Sequence, residues 1–130
     1  MCGLIAAWDP SGLNEAPLRD ALGDLHHRGP DAQGVIWREH HRLHLAHARL
    51  KIIDTTNGAN QPFVSPCGRW SILYTGEIYN FRELRREIGD RWSWRSHGDT
   101  EVLMASWSLW GEACLSRIVD GKREHAHETR

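Results

Sequence analysis

The run "RLHLAHARLKIID" (residues 42–54) constrains the fold more than any other stretch of the chain. Its apolar and polar positions alternate, and that period of two belongs to extended chain. Leu43, Leu45, His47 and Arg49 fall on one face, and His44, Ala46, Ala48 and Leu50 on the other. The same alternation bears on metal binding, which "EHHRLHLAH" invites. On a helix His40, His44 and His47 would share a face and could hold zinc. A strand sends His44 and His47 to opposite faces instead. No Cys lies nearby and no H-E-x-x-H pattern occurs, so no metal site is expected.

Around this strand the elements are mixed. Residues 2–8 read as a buried strand closed by the turn "DPSG". Asn14 can cap a helix carrying Leu18, Ala21, Leu22 and Leu25, which must end before Gly29-Pro30. "GVIW" (34–37) is a short strand, and "REHH" a polar turn. "RWSILY" (69–74) and "EIYN" read as a hairpin-like pair about a turn at Thr75-Gly76. Asn80 takes the N-cap position of "FRELRREI", with Glu83 in capping-box spacing and Phe81, Leu84 and Ile88 on one face. "DRWSWRS" reads as another strand. Asp99 or Thr100 begins a helix that runs to Trp110 and stops at Gly111, and residues 112–119 suit one more helix. This order of strands and helices, without linker or repeat, predicts one α+β domain over residues 1–121. The last residues, 122–130, are polar and are expected to be a disordered tail.

A chain of 130 residues with 40% apolar and 25% charged residues is ordinary globular composition. Its net charge of -1 gives no electrostatic footprint for nucleic acid or a membrane surface. No apolar run approaches the roughly 20 residues that span a bilayer. The start "MCGLIAAWDP" lacks the basic flank of a signal peptide. Three cysteines without a C-x-x-C pair suit a reducing cytoplasm. The seven tryptophans read as core and interface packing.

Cys2 stands directly behind Met1 and before Gly3. If Met1 is removed, Cys2 carries a free α-amine whose pKa of about 7.7–8.0 leaves a useful fraction unprotonated near neutrality. One residue then holds both a nucleophile and its base. The plain alternative is a small hydrophobe buried in a strand.

Six segments occur in order: "MCGLIAAWD", "HHRGPDAQG", "LAHARLKIIDTTNGANQP", "GEIYNFRELR", "HGDTEVLMASW" and "WGEACLSRIVDG". Together they resemble the N-terminal glutaminase domain of class II glutamine amidotransferases, in the asparagine synthetase branch. The resemblance implies an N-terminal nucleophile hydrolase fold, a four-layer αββα sandwich with two antiparallel sheets, here incomplete at the C-terminus. It implies hydrolysis of L-glutamine to glutamate and ammonia through a thioester on Cys2. Arg49 would clamp the substrate carboxylate, Asp99 its ammonium, and Ile52, Ile53 and Glu77 would make further contacts. Gly76 would supply a backbone N–H to the oxyanion hole.

The chain departs from the family at Thr75, where the commonest form has Asn as the second oxyanion donor. A threonine hydroxyl is shorter and can rotate to another acceptor. After "DG" the family's continuing apolar strands give way to "KREHAHETR". The family's ATP-using synthetase domain is not among these residues, so ATP and Mg are expected only in that domain and no cofactor in the glutaminase step. The missing strands would come from a C-terminal synthetase portion or a second chain, and an open sheet edge makes a homo-oligomer conceivable. On this reading the chain alone turns over little glutamine. The alternative is a non-catalytic remnant that binds a partner.

Overall fold

A computed structural model describes residues 1–52 and 54–119. The chain order is β1 (Gly3–Trp8), α1 (Glu15–Asp24), β2 (Ala32–Arg38), β3 (Leu43–Arg49), β4 (Phe63–Val64), β5 (Ser71–Ile72), α2 (Phe81–Ile88) and α3 (Asp99–Trp110). Short 3₁₀ turns lie at Asn57–Ala59, Gly89–Arg91 and Gly111–Ser116. The fold is α+β with two antiparallel sheets, one ordered β1-β3-β2 and the other formed by β4 and β5. The alternating run is strand over Leu43–Arg49, as its pattern predicts, and this strand lies at the centre of the larger sheet; the pairing stops at Arg49, short of the expected end at 54.

The register fixes which groups share a face. Gly3 pairs with Ala48 and Leu4 with His47 on one side of β3, and Gly34 pairs with His47 on the other. Ala46 and Ala48 pack beneath α1 with Leu18 and Leu22. Asn14 caps α1 as its sequence suggests, its Oδ1 accepting from the Ala16 N–H. The opposite face of β3 carries His47 and Arg49. A second core cluster, Ile78, Leu84 and Val102, joins α2 to α3.

Gly29-Pro30 does more than stop α1. A Cβ on Gly29 would lie 2.2 Å from the carbonyl carbon and oxygen of Ala48. The loop after α1 therefore lies directly against the backbone that leads into Arg49, and the Asp31 N–H donates to the Arg49 carbonyl at 3.0 Å.

Several local expectations are corrected. "DRWSWRS" forms no strand. The buried Glu101 carboxylate accepts from the Trp92 indole N–H and from the backbone N–H groups of Arg95 and Ser96. These side-chain bonds take the place of a ladder. Of "RWSILY" only Ser71 and Ile72 are strand, and they pair with β4 rather than with "EIYN". Asn80 does not cap α2 with its side chain. Its amide instead donates to the Arg117 carbonyl and accepts from the Val119 N–H. The last helix is only the 3₁₀ turn Gly111–Ser116. None of the tryptophans is fully buried, and Trp8 is 58% exposed, so they flank the core rather than fill it. The expected tail lies outside the described residues.

Candidate active site

β1 delivers Cys2 beside the end of β3. The Leu50 N–H donates to the Cys2 sulfur at 3.2 Å, and the sulfur faces the Leu50 carbonyl at 3.7 Å. Cys2, Arg49, Ile52, Thr75, Gly76, Glu77 and Asp99 all line one cavity of about 230 Å³. Met1 sits at it too, 80% exposed. Ile52 lies at the rim, 66% exposed, and Ile53 lies outside the described residues. Parts of the chain far apart in sequence therefore converge: the second residue, the end of β3, the segment after β5 and the start of α3.

Arg49 is 6% exposed and held in place by its own fold. Nη1 donates to the Thr56 carbonyl and to Asn60 Oδ1, each at 2.7 Å, and Nη2 donates to the Asp54 carbonyl. Three of its five hydrogens are thus committed. Nε and one Nη2 hydrogen have no partner among the described residues, which is enough for a two-pronged grip on a carboxylate. Burial pulls the guanidinium below its usual pKa, against the charges of Asp54, the Cys2 thiolate and Asp31. It stays cationic near neutrality because its ordinary value is so high.

Asp99 is the first residue of α3, and its cap is Gly98. Asp99 is thus not the N-cap, but its carboxylate still interacts with the backbone N–H groups of Asp99 and Thr100 at the helix start. Asp99 Oδ2 accepts from the Ile78 N–H at 3.0 Å. Burial raises its pKa above the ordinary carboxylate value, and the neighbouring charge of Glu77 adds to this against three backbone N–H groups. A carboxylate so placed favours a cation as ligand.

Asp54 and Gln61 are pocket residues that the sequence motifs contain but that no periodicity marks. Asp54 Oδ1 accepts from the Thr56 N–H and hydroxyl, and Oδ2 from the His97 N–H at 2.6 Å. Burial opposes its ionisation, but these bonds and the Arg49 charge leave its pKa below the ordinary value. It links the Arg49 segment to the loop that leads into Asp99. His47, fully buried on the same strand face as Arg49, is pushed down to about 4 by burial, against the Tyr74 backbone, and is neutral near pH 7. Among the described residues no group of three or more His, Cys, Asp or Glu is placed to hold a metal ion, and no helix is long and apolar enough to cross a membrane.

The arrangement offers a thiol, a cation with an open edge, a buried anion and an exposed backbone turn around one small cavity. That set suits a small zwitterion with a reactive carbonyl. The profile of the glutamine amidotransferase domain matches residues 1–121. The chain is similar to amidase chry2 of Gibberella zeae, at 28% identity with 91% of this chain and 19% of that protein covered. It is similar to glutamine-hydrolysing asparagine synthetase 3 of Bacillus subtilis, at 36% identity with 91% and 20% covered. It is also similar to glutamine-hydrolysing asparagine synthetase B of Escherichia coli, at 40% identity with 91% and 21% covered. The chain spans about a fifth of the length of these curated relatives. With residues 1–121 matched, the chain belongs to the glutamine amidotransferase domain family, whose fold is that of the N-terminal nucleophile hydrolases.

Proposed function

We propose that the cavity hydrolyses L-glutamine to L-glutamate and ammonia through a thioester on Cys2. The observation that carries this reading is the convergence of Cys2, the open edge of Arg49 and the buried Asp99 on one cavity. Arg49 takes the substrate α-carboxylate and Asp99 the α-ammonium, which selects a free amino acid. After removal of Met1 the Cys2 α-amine accepts the thiol proton, and the sulfur adds to the side-chain carbonyl carbon. The oxygen that becomes negative is met by the Gly76 N–H and the Thr75 hydroxyl. The α-ammonium returns its proton to the departing nitrogen, the C–N bond breaks, and ammonia leaves. Water then adds to the thioester, and glutamate is released with the thiol restored.

This half-reaction needs no cofactor or metal. ATP and Mg belong to a synthetase domain that would use the ammonia, on this chain's continuation or on a second chain, for amidation of the kind named in the relatives. Three free thiols suit a cytoplasmic setting. Thr75 favours a second reading, a binding domain without turnover.

The test is selective labelling. Cys67 is exposed, and the Ser65 hydroxyl, 3.4 Å from its sulfur, lowers its thiol pKa. Cys114 is buried, and burial raises its pKa. A general alkylating agent should therefore modify Cys67 readily. A chloroketone analogue of glutamine, with –CO–CH₂Cl in place of the carboxamide, should modify Cys2 first, and L-glutamine should protect Cys2 alone. Intact mass should show loss of Met1. Retained Met1, or labelling of Cys2 that glutamine does not slow, would rule the reading out.

Two further results are expected. Asp99 binds an ammonium only as the carboxylate, and burial raises its pKa from the ordinary Asp value. Glutamine affinity should therefore fall as pH drops, at higher pH than an exposed Asp would cause, and Asp99→Asn should flatten the profile. Calorimetry from pH 8 to pH 5 reads this directly. Thr75→Asn should raise the Cys2 acylation rate by about 10-fold, or about 1.4 kcal/mol, because a planar amide donor does not rotate away. Glutamine affinity should change little, and single-turnover kinetics separates the two.

A further inference from the structure

We propose that Gln61 is the positioning residue of the oxyanion hole, an inference that rests on the function proposed above. Residues 75–77 line the cavity, yet among the described residues they make no backbone–backbone hydrogen bond. β5 ends at Ile72, so no ladder reaches them. The segment is held at its two ends by side chains. On the upstream side, the Gln61 carboxamide faces the Tyr74 backbone. Gln61 Oε1 accepts from the Tyr74 N–H at 2.6 Å, and Gln61 Nε2 donates to the Tyr74 carbonyl at 3.1 Å. On the downstream side, Asp99 Oδ2 accepts from the Ile78 N–H.

Gln61 is built for this. It is 7% exposed, and its second amide hydrogen goes to Thr100 Oγ1 at 3.2 Å. Both donors are spent, so Gln61 lines the cavity without a hydrogen left for a ligand. Its oxygen must face an N–H and its nitrogen a carbonyl, which fixes the amide orientation. Its main chain is pinned as well, because a Cβ on Gly34 would lie 2.1 Å from the Gln61 carbonyl oxygen. Thr100 follows Asp99 on the first turn of α3. One amide thus ties Tyr74, immediately before Thr75 and Gly76, to the helix that carries the ammonium partner. Loss of this tie would leave the two oxyanion donors displaced by a fraction of an ångström while the charge clamps stay in place.

The test uses the full chain and the chloroketone analogue, whose carbonyl oxygen must enter the same hole while the sulfur–carbon bond forms and chloride leaves. Saturation kinetics gives a binding constant and a limiting rate. Gln61→Met keeps the volume and removes all three bonds. Its limiting rate should fall about 10- to 100-fold, with the binding constant for the analogue and the affinity for glutamine within about 3-fold. Gln61→Glu keeps the acceptor for the Tyr74 N–H but sets an anion against the Tyr74 carbonyl. Its rate, taken relative to the unsubstituted chain at each pH, should recover as the pH falls and the new carboxyl gains a donor hydrogen. A merely structural role would not produce that recovery.

Equal losses in rate and binding, unchanged rates in both variants, or failure of both variants to fold would overturn the role of Gln61. If the unsubstituted chain is labelled at Cys2 with glutamine protection and the variants match it, Gln61 alone is misassigned. If the unsubstituted chain shows no such labelling, the proposed function falls and this role falls with it.

Discussion

Arg49→Met should weaken L-glutamine binding by at least about 100-fold. Arg49 lines the cavity and keeps two hydrogens without a partner among the described residues, and a hydrogen bond to a charged group is worth about 1.5–3 kcal/mol. Losing two of them costs about 3 kcal/mol or more, and 1.4 kcal/mol is a factor of ten. The substitution also strips partners from the Thr56 and Asp54 carbonyls and from Asn60 Oδ1. Part of the damage is therefore to the 54–60 loop, and thermal unfolding measured beside calorimetry separates the two effects. Arg49→Lys is the informative control. A lysine keeps the charge but not the fork, so it cannot serve the loop and a carboxylate together. It should lose about 10-fold in affinity, more than its charge alone would suggest. Glutamine affinity within 2- or 3-fold of the unsubstituted chain for Arg49→Met would mean that the carboxylate is held elsewhere.

Arg49 also shows how far the sequence is legible. Alternation places it at the end of a strand face, and β3 carries it there in the observed register. Its role as a clamp comes only from the resemblance. Its commitment to Thr56, Asn60 and Asp54 could not be read from either, because these are bonds from a side chain to a loop with no repeating pattern. The same is true of Glu101, which replaces an expected strand at 90–96 with a fan of backbone donors. Aromatic and apolar residues there mimic strand chemistry, but one buried carboxylate decides the conformation. Gln61 sits inside a recognised motif, yet its partner Tyr74 lies beyond the next hairpin. Long elements follow from periodicity, which many residues express together. Short connections that shape a cavity follow from single polar contacts, and one residue carries each of them.

Gly29 is the sharpest case, and Gly29→Ala should be the most destructive single change in stability. The glycine is not chosen for a left-handed backbone. The new methyl would lie 2.2 Å from the Ala48 carbonyl carbon and oxygen and 2.4 Å from the Arg49 nitrogen. These are main-chain atoms of the central strand, bonded to neighbours on both sides, and they have no rotamer through which to escape. Either the loop at 28–31 lifts away or β3 shifts, and both unseat Arg49. A loss of about 4 kcal/mol or more is expected, against a typical total stability of about 5–15 kcal/mol. Two other glycines calibrate this by urea unfolding. Gly12 has φ of 99° and open space around it, so Gly12→Ala meets backbone strain alone and should cost about 1–2 kcal/mol. Gly23 lies in the last turn of α1 with nothing within 4 Å of a new methyl. Gly23→Ala should therefore stabilise the chain by about 0.5–1 kcal/mol. The order Gly23, Gly12, Gly29 thus runs from gain to severe loss for the same added methyl. A Gly29→Ala variant within about 1 kcal/mol of the unsubstituted chain would mean that the loop does not press on β3. Arg49 would then owe its position to the 54–60 loop alone.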